Sequence, residues 1–166
     1  MNVVLIGMPG CGKSTVGVLL AKSLLMDFVD TDLVIQNTHK KSLCEIIESE
    51  GLVAFKDIEN RVLADLEANN CVIATGGSAV YGKEAMAHLS AVGTVVYLRT
   101  SLRVIKSRLG DIKTRGVAIA DGYTLDDLYA ERTPLYESYA HVTVDGDGRT
   151  VEECVDAIVT AIKCKE

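Results

Sequence analysis

Apolar residues along this chain fall either into short unbroken runs or into sets at helical spacing, and the two kinds take turns. Val3-Val4-Leu5-Ile6 is a run of the buried-strand type, and Val16, Leu19, Leu20 and Leu24 then recur at helical spacing, predicting a first helix over 15–25. Phe28-Val29-Asp30-Thr31-Asp32 reads as a second strand that ends in two acids one residue apart. Ser42-Leu43-Cys44-Glu45 has capping-box spacing and opens a short helix to about residue 50. Gly51 breaks it, and the next helix carries Phe55, Ile58, Val62 and Leu66 on one face. Further strands are expected over 71–74, 94–98 and 141–144, with helices over 84–89, 102–109 and 124–140, the last kinked or broken at Pro134. Val151, Val155, Ile158, Val159 and Ile162 define a closing helix. Strand and helix in alternation mean α/β, a parallel sheet with helices on both faces. Only 110–122, with glycines at 110, 116 and 122, lacks periodicity; a loop of that length in a compact domain is usually functional, often a lid.

Chemistry gathers where the strands end. Gly7-Met8-Pro9-Gly10-Cys11-Gly12-Lys13-Ser14-Thr15 follows the first strand and opens the first helix, and it spells G-x-x-x-x-G-K-S, a phosphate-binding loop. Its glycines let backbone N–H groups wrap a polyphosphate; Lys13 supplies a point charge, Ser14 a hydroxyl for Mg²⁺, and the helix N-terminus a partial positive charge. A turn that merely joins strand to helix is the bland alternative. Asp30 and Asp32, at a strand's carboxyl end, are expected beside this loop with both side chains on one side of the strand, although an aspartate there could simply cap the helix that starts at Leu33. Gly76-Gly77 is either a tight turn or backbone brought close to a ligand. Lys56 by itself reads as a solvated residue beside a buried face.

At 166 residues and 48% hydrophobic content the chain reads as one domain with a real core. No stretch approaches the roughly 18 apolar residues of a membrane span, and the start runs directly into strand and loop, so a cytoplasmic protein without signal peptide is expected. The cysteines at 11, 44, 71, 154 and 164 fit neither disulfide nor zinc spacing and are read as reduced. Cys11 is expected to alkylate first, because the helix N-terminus and Lys13 favour its thiolate. A net charge of −6 argues against a general nucleic-acid binder, so any bound anion must be held by a few local cations. His39, His88 and His141 share no spacing and are read as structural or surface residues.

Three classes share such a loop. A nucleotide switch needs N-K-x-D, which Asn37-Thr38-His39-Lys40 does not match, and a motor-type ATPase needs an apolar strand ending in Asp plus a catalytic Glu, which neither 71–74 nor 94–98 supplies. A small kinase fits better. Transfer of the γ-phosphoryl group to a hydroxyl needs alignment and charge neutralisation; Asp32 can orient the hydroxyl or accept its proton, and Arg115, in the lid, can close over the phosphates and exclude water.

Over essentially its whole length the chain resembles the shikimate kinase family. The resemblance rests on residues 7–15, Asp30-Thr31-Asp32, Phe55-Lys56-Asp57-Ile58-Glu59, Gly76-Gly77-Ser78-Ala79-Val80, Arg115 and Glu131-Arg132-Thr133-Pro134-Leu135-Tyr136, in that order. It implies a three-layer, nucleoside-monophosphate-kinase-like fold with a five-stranded parallel sheet in the order 2-3-1-4-5, an acceptor-binding segment at about 32–61 and a lid at about 110–122. ATP would be the co-substrate and the 3-hydroxyl of shikimate the acceptor. By the same resemblance Gly10, Cys11, Gly12, Lys13, Ser14 and Thr15 bind nucleotide with Arg108 and Arg115, and Lys13, Asp32 and Arg115 carry catalysis. Ser14, with Asp30 through water, holds Mg²⁺, and Asp32, Lys56, Gly76, Gly77, Ser78 and Arg132 bind the acceptor. A monomer without nucleic-acid or membrane partner is expected.

Three positions depart from the family pattern: Lys56 replaces an arginine, Ser78 a third glycine and Gly116 a proline. Lysine in place of a bidentate arginine loses a charge-assisted bond of roughly 1.5–3 kcal/mol, about 10- to 100-fold in acceptor affinity. Another polyol or sugar acid such as gluconate, or a non-catalytic nucleotide-binding relative, are the alternatives these departures raise.

Overall fold

The structure, a computed structural model, describes residues 1–109 and 117–164. Five strands, β1 (Asn2–Ile6), β2 (Asp27–Asp30), β3 (Cys71–Ala74), β4 (Gly93–Arg99) and β5 (Val142–Asp145), form one all-parallel sheet in the order β2-β3-β1-β4-β5, as the sequence implied. Residues 2–6 and 71–74 are buried without exception, which is why both strands read as unbroken apolar runs. Eight α-helices are present among the described residues: α1 (Lys13–Leu24), α2 (Thr31–His39), α3 (Leu43–Glu50), α4 (Leu52–Ala64), α5 (Lys83–Val92), α6 (Leu102–Arg108), α7 (Leu125–Tyr139) and α8 (Val151–Lys163). None of them is long and apolar enough to cross a membrane.

Local chemistry sets most boundaries. Ser42 and Glu45 form the capping box expected at α3, and Thr150 with Glu153 builds another at α8, whose Cys154, Val155, Ile158 and Ile162 face the core. Two differences from the sequence reading bear on the site. β2 stops at Asp30, whose carboxylate accepts the Asp32 N–H and caps α2, so Asp32 lies in the first helical turn and not on the strand. The capping bond wins because the ladder with β3 ends there, at Asp30 opposite Ala74. Helix α7 also runs unbroken through Pro134. Its anchors Leu125, Leu128, Arg132 and Tyr136 are all buried at helical spacing, and exposed Pro134 loses its hydrogen bond on the solvent side.

One polar residue stitches the sheet's far edge. Asn2 is buried; its amide donates to the carbonyls of Ala68 (2.8 Å) and Val92 (3.2 Å) and its oxygen accepts from the Cys71 N–H (3.0 Å). Three chain segments thus depend on one side chain. Asn2→Leu should lower unfolding free energy by about 3 kcal/mol in urea denaturation, because three backbone groups lose their partner together; a loss under about 1 kcal/mol would show that they are satisfied otherwise.

Candidate active site

Residues 7–12 leave the carboxyl end of β1 and turn into α1, whose N-cap, Gly12, is left-handed and offers no capping side chain. Lys13 folds back over this loop: its ammonium donates to the carbonyls of Gly7 (2.7 Å) and Met8 (3.0 Å) and lies 3.6 Å from the Cys11 sulfur. Cys11 is itself buried, which argues against the expectation that it alkylates first; Cys164 is exposed. Ser14 donates its hydroxyl to Asp30 Oδ2 at 2.7 Å, while Oδ1 of the same carboxylate caps α2. Asp30 therefore serves as cap and as partner of the loop serine together. Hard oxygen donors such as these suit Mg²⁺.

The turn after β3 faces this loop. Thr75 directs both its N–H (3.1 Å) and its hydroxyl (3.0 Å) to the Leu5 carbonyl, and the Gly76 N–H donates to the Thr31 hydroxyl at 3.2 Å. A side chain on Gly76 would stand 2.6 Å from Glu59 Oε1 and 2.8 Å from Asp32 Oδ1, and one on Gly77 would stand 2.7 Å from the Pro9 ring and 2.9 Å from the Arg132 guanidinium. Only bare backbone fits between those groups. Tyr136 fixes the Gly77 carbonyl with a 2.6 Å hydrogen bond.

Electrostatics follow from burial. The Asp32 carboxyl is raised above its usual range by desolvation and by the Asp30 carboxylate, with Lys13 opposing. Glu59 is only 2% exposed; the buried Ser78 hydroxyl donates to its Oε2, while Oε1 has no hydrogen-bond partner among the described residues. Desolvation pushes its carboxyl up to about 7 against the Ser78 hydrogen bond, with Asp32 adding to the rise and Arg132 and Lys56 opposing it. Arg132, 1% exposed, donates to the Ala118 carbonyl at 2.7 Å and to the Tyr81 hydroxyl at 3.4 Å.

A cleft of about 280 Å³ joins these parts: Gly10, Gly12, Lys13, Ser14, Thr15, Asp32, Gly76, Gly77, Ser78 and Arg132 all line it, with Ala118 across from them. Beside it a hollow of about 360 Å³ is lined by Cys11, Arg108 and Arg149; Arg108 donates to the Gly10 (3.4 Å) and Cys11 (3.3 Å) carbonyls. Lys56 does not line the cleft; its ammonium sits 4.0 Å from the centre of the Tyr81 ring, and its pKa is lowered by desolvation and by nearby Arg132. Arg115, and with it the lid segment 110–116, lies outside the described residues. Sequence reasoning assigned no role to Glu59 or Tyr81. Glu59 carried a usable signal, an acid one turn after Phe55 on a buried face; Tyr81 carried none.

Known proteins resemble the chain over this same span. The family model described as shikimate kinase matches residues 9–163. A shikimate kinase of Francisella tularensis subsp. novicida is 39% identical over 163 residues, 96% of this chain and 93% of the relative. The structure of a shikimate kinase from Acinetobacter baumannii in complex with shikimate aligns with a TM-score of 0.89 at 32% identity, covering 99% of this chain and 94% of that one. The shikimate kinase of Aquifex aeolicus aligns with a TM-score of 0.87 at 34% identity, covering 99% and 98%.

Two outcomes test this geometry. Glu59 keeps its proton to higher pH when folded than its ordinary 4.5, so the folded chain holds more protons than the unfolded one from pH 4.5 to about 7. Stability therefore falls as pH rises through that window, by an amount on the order of 3 kcal/mol, and levels off above it. Urea unfolding from acidic to mildly basic pH should show Glu59→Gln losing most of this slope; an unchanged slope would place the titration elsewhere. Thiol labelling of the native chain should modify Cys164 well before Cys11, and mass spectrometry of early peptides reads the order.

Proposed function

The chain belongs to the shikimate kinase family, and from that premise we propose that it transfers the γ-phosphoryl group of ATP to the 3-hydroxyl of shikimate across the cleft between the phosphate loop and Arg132. Its relatives are ATP-dependent kinases with an alcohol acceptor, and so is this chain. The observation that carries the acceptor reading is one cleft lined by Lys13, Ser14, Asp32 and Arg132 together. Lys13 and Ser14 suit a triphosphate, and Asp32 and Arg132 a hydroxylated acid.

Each residue has a task in that geometry. Backbone N–H groups of Gly10 to Thr15 wrap the phosphates, Lys13 exchanges its loop carbonyls for phosphate oxygens, and Arg108 lies along the nucleotide's base. Ser14, and Asp30 through water, would hold Mg²⁺, which when bound neutralises charge on the β- and γ-phosphate oxygens. Arg132 attracts the acceptor's carboxylate, Lys56 adds positive charge from its place on Tyr81 outside the cleft lining, and Gly77 offers backbone. Asp32 then orients the acceptor hydroxyl and takes its proton, a role its raised pKa suits because a more basic carboxylate accepts a proton more readily. Arg115, outside the described residues, would add positive charge at the phosphates, as the family resemblance implies. Ser78 donates its hydroxyl proton to Glu59, so that donor is not offered to the acceptor. A cytoplasmic monomer completes the proposal, supported by five free cysteines suited to a reducing compartment.

An ADP-release assay decides the acceptor. Millimolar shikimate should raise turnover far above the rate without acceptor, and gluconate should not; equal rates with and without shikimate would remove it as substrate. Asp32→Asn should cut kcat about 100-fold or more while ATP affinity stays within about 2-fold. In the parent enzyme kcat/KM should fall as acid protonates Asp32, with that limb above the ordinary carboxylate range.

A further inference from the structure

Tyr81 closes the short 3₁₀ turn Ala79–Tyr81 that follows the Gly76-Gly77-Ser78 wall of the cleft, its N–H bonded to the Ser78 carbonyl at 3.0 Å. Two cations converge on its ring: the Lys56 ammonium at 4.0 Å and the Arg132 guanidinium carbon at 5.3 Å from the centroid. Both distances lie within cation–π range. Its hydroxyl donates to Glu131 Oε1 and accepts from Arg132 Nε, and Tyr123 donates to the other Glu131 oxygen at 3.2 Å. The ring is thus held by its rim while its π surface faces positive charge.

Such a ring answers a particular difficulty. Lys56 and Arg132 repel each other, as the lowered Lys56 pKa records after desolvation, and lysine ends in a single ammonium on a flexible stem. Left to itself, that stem would swing the charge into solvent. The negative face of Tyr81 and the Glu131 carboxylate offset the repulsion and hold both cations on one ring. Resting on the acceptor reading above, we propose that Tyr81 is a positioning residue for the acceptor: it holds Lys56 against the ring that Arg132 also contacts, next to the cleft Arg132 lines, so that the two cations together draw the acceptor's carboxylate, in place of the fork a second arginine would supply.

Steady-state kinetics on the full chain, with shikimate varied at saturating ATP, test this. Tyr81→Leu should raise the shikimate KM about 5- to 30-fold, the range expected for a partly desolvated cation–π contact, while kcat and the ATP KM stay within about 2-fold. Tyr81→Phe keeps the ring and should raise KM less. Against the methyl ester of shikimate, which lacks the charge, the KM ratio of variant to parent should fall toward one. The double variant Tyr81→Leu/Lys56→Met should bind shikimate no worse than the weaker single variant. An unchanged shikimate KM in Tyr81→Leu, an equal penalty on the ester, or additive effects in the double variant would overturn the proposal; should Tyr81→Leu fail to fold, Tyr81→Met carries the same expectations. Lack of turnover by the parent enzyme would instead sink the acceptor reading and take this inference with it, whereas an active parent with an indifferent Tyr81 sinks the inference alone.

Discussion

Parallel pairing of β1 with β3 on one side and β4 on the other is the constraint on which the site depends. Val3, Val4 and Leu5 lie opposite Val72, Ile73 and Ala74, and the same strand lies opposite Thr94, Val95 and Val96 on its other edge. Parallel neighbours release their following loops at one edge, and at a centrally placed strand those loops diverge to make a crevice. Here the register is tied off at its last step by Thr75, which places two hydrogen bonds on the Leu5 carbonyl. The phosphate loop and the Gly76-Gly77 turn therefore leave the sheet as neighbours. β2, outside β3, then delivers Asp30 and Asp32 to the same edge.

That edge concentrates charge at the cost of solvation. Lys13, Glu59 and Arg132 are all under a tenth exposed, and Asp32 is half-buried among them. Each buried charge keeps a polar partner: Lys13 takes loop carbonyls, Arg132 takes Ala118 and Tyr81, and Glu59 takes Ser78. The chain's net charge is −6, so an anion in the cleft must be held by local cations such as Lys13 and Arg132. Desolvation that makes the carboxyls less acidic also makes the fixed cations act strongly on an anion that enters. Preorganisation of this kind is what phosphoryl transfer asks of a protein.

Two of the positions that depart from the family pattern, Lys56 and Ser78, are linked through their neighbours. Ser78 donates to the Glu59 carboxyl, and Glu59 and Lys56 lie one turn apart on α4. Lys56 in turn leans on Tyr81, which follows the wall that Ser78 belongs to. A serine hydroxyl on a carboxyl pushed up to about 7 and an aromatic face under an ammonium are both neutral partners for groups that would otherwise be buried charged. The pocket changes as a set, because each substituted side chain alters the solvation of the next.

Much of this protein was legible along the chain because the signals are local. Unbroken apolar runs gave the buried strands, 3.6-residue spacing the helices, and the loop at residues 7–15 announced its chemistry by spacing alone. The sheet order and the kinase class followed from the resemblance those motifs support, and the observed topology and relatives agree with both. Boundaries set by competing hydrogen bonds were not legible: whether Asp30 ends a strand or caps a helix depends on where β3 stops pairing, and whether Pro134 breaks α7 depends on how firmly Arg132 and Tyr136 are packed. Cys11, expected to react first for its place at the helix N-terminus beside Lys13, is buried, which shows the same limit. Glu59 and Tyr81 act through residues tens of positions away, and burial, desolvation and convergence are properties of three-dimensional neighbourhoods. Periodicity is written into a few consecutive residues, so the sequence determined the elements and the phosphate loop; which charges meet, and at what cost in solvation, only the tertiary structure decided.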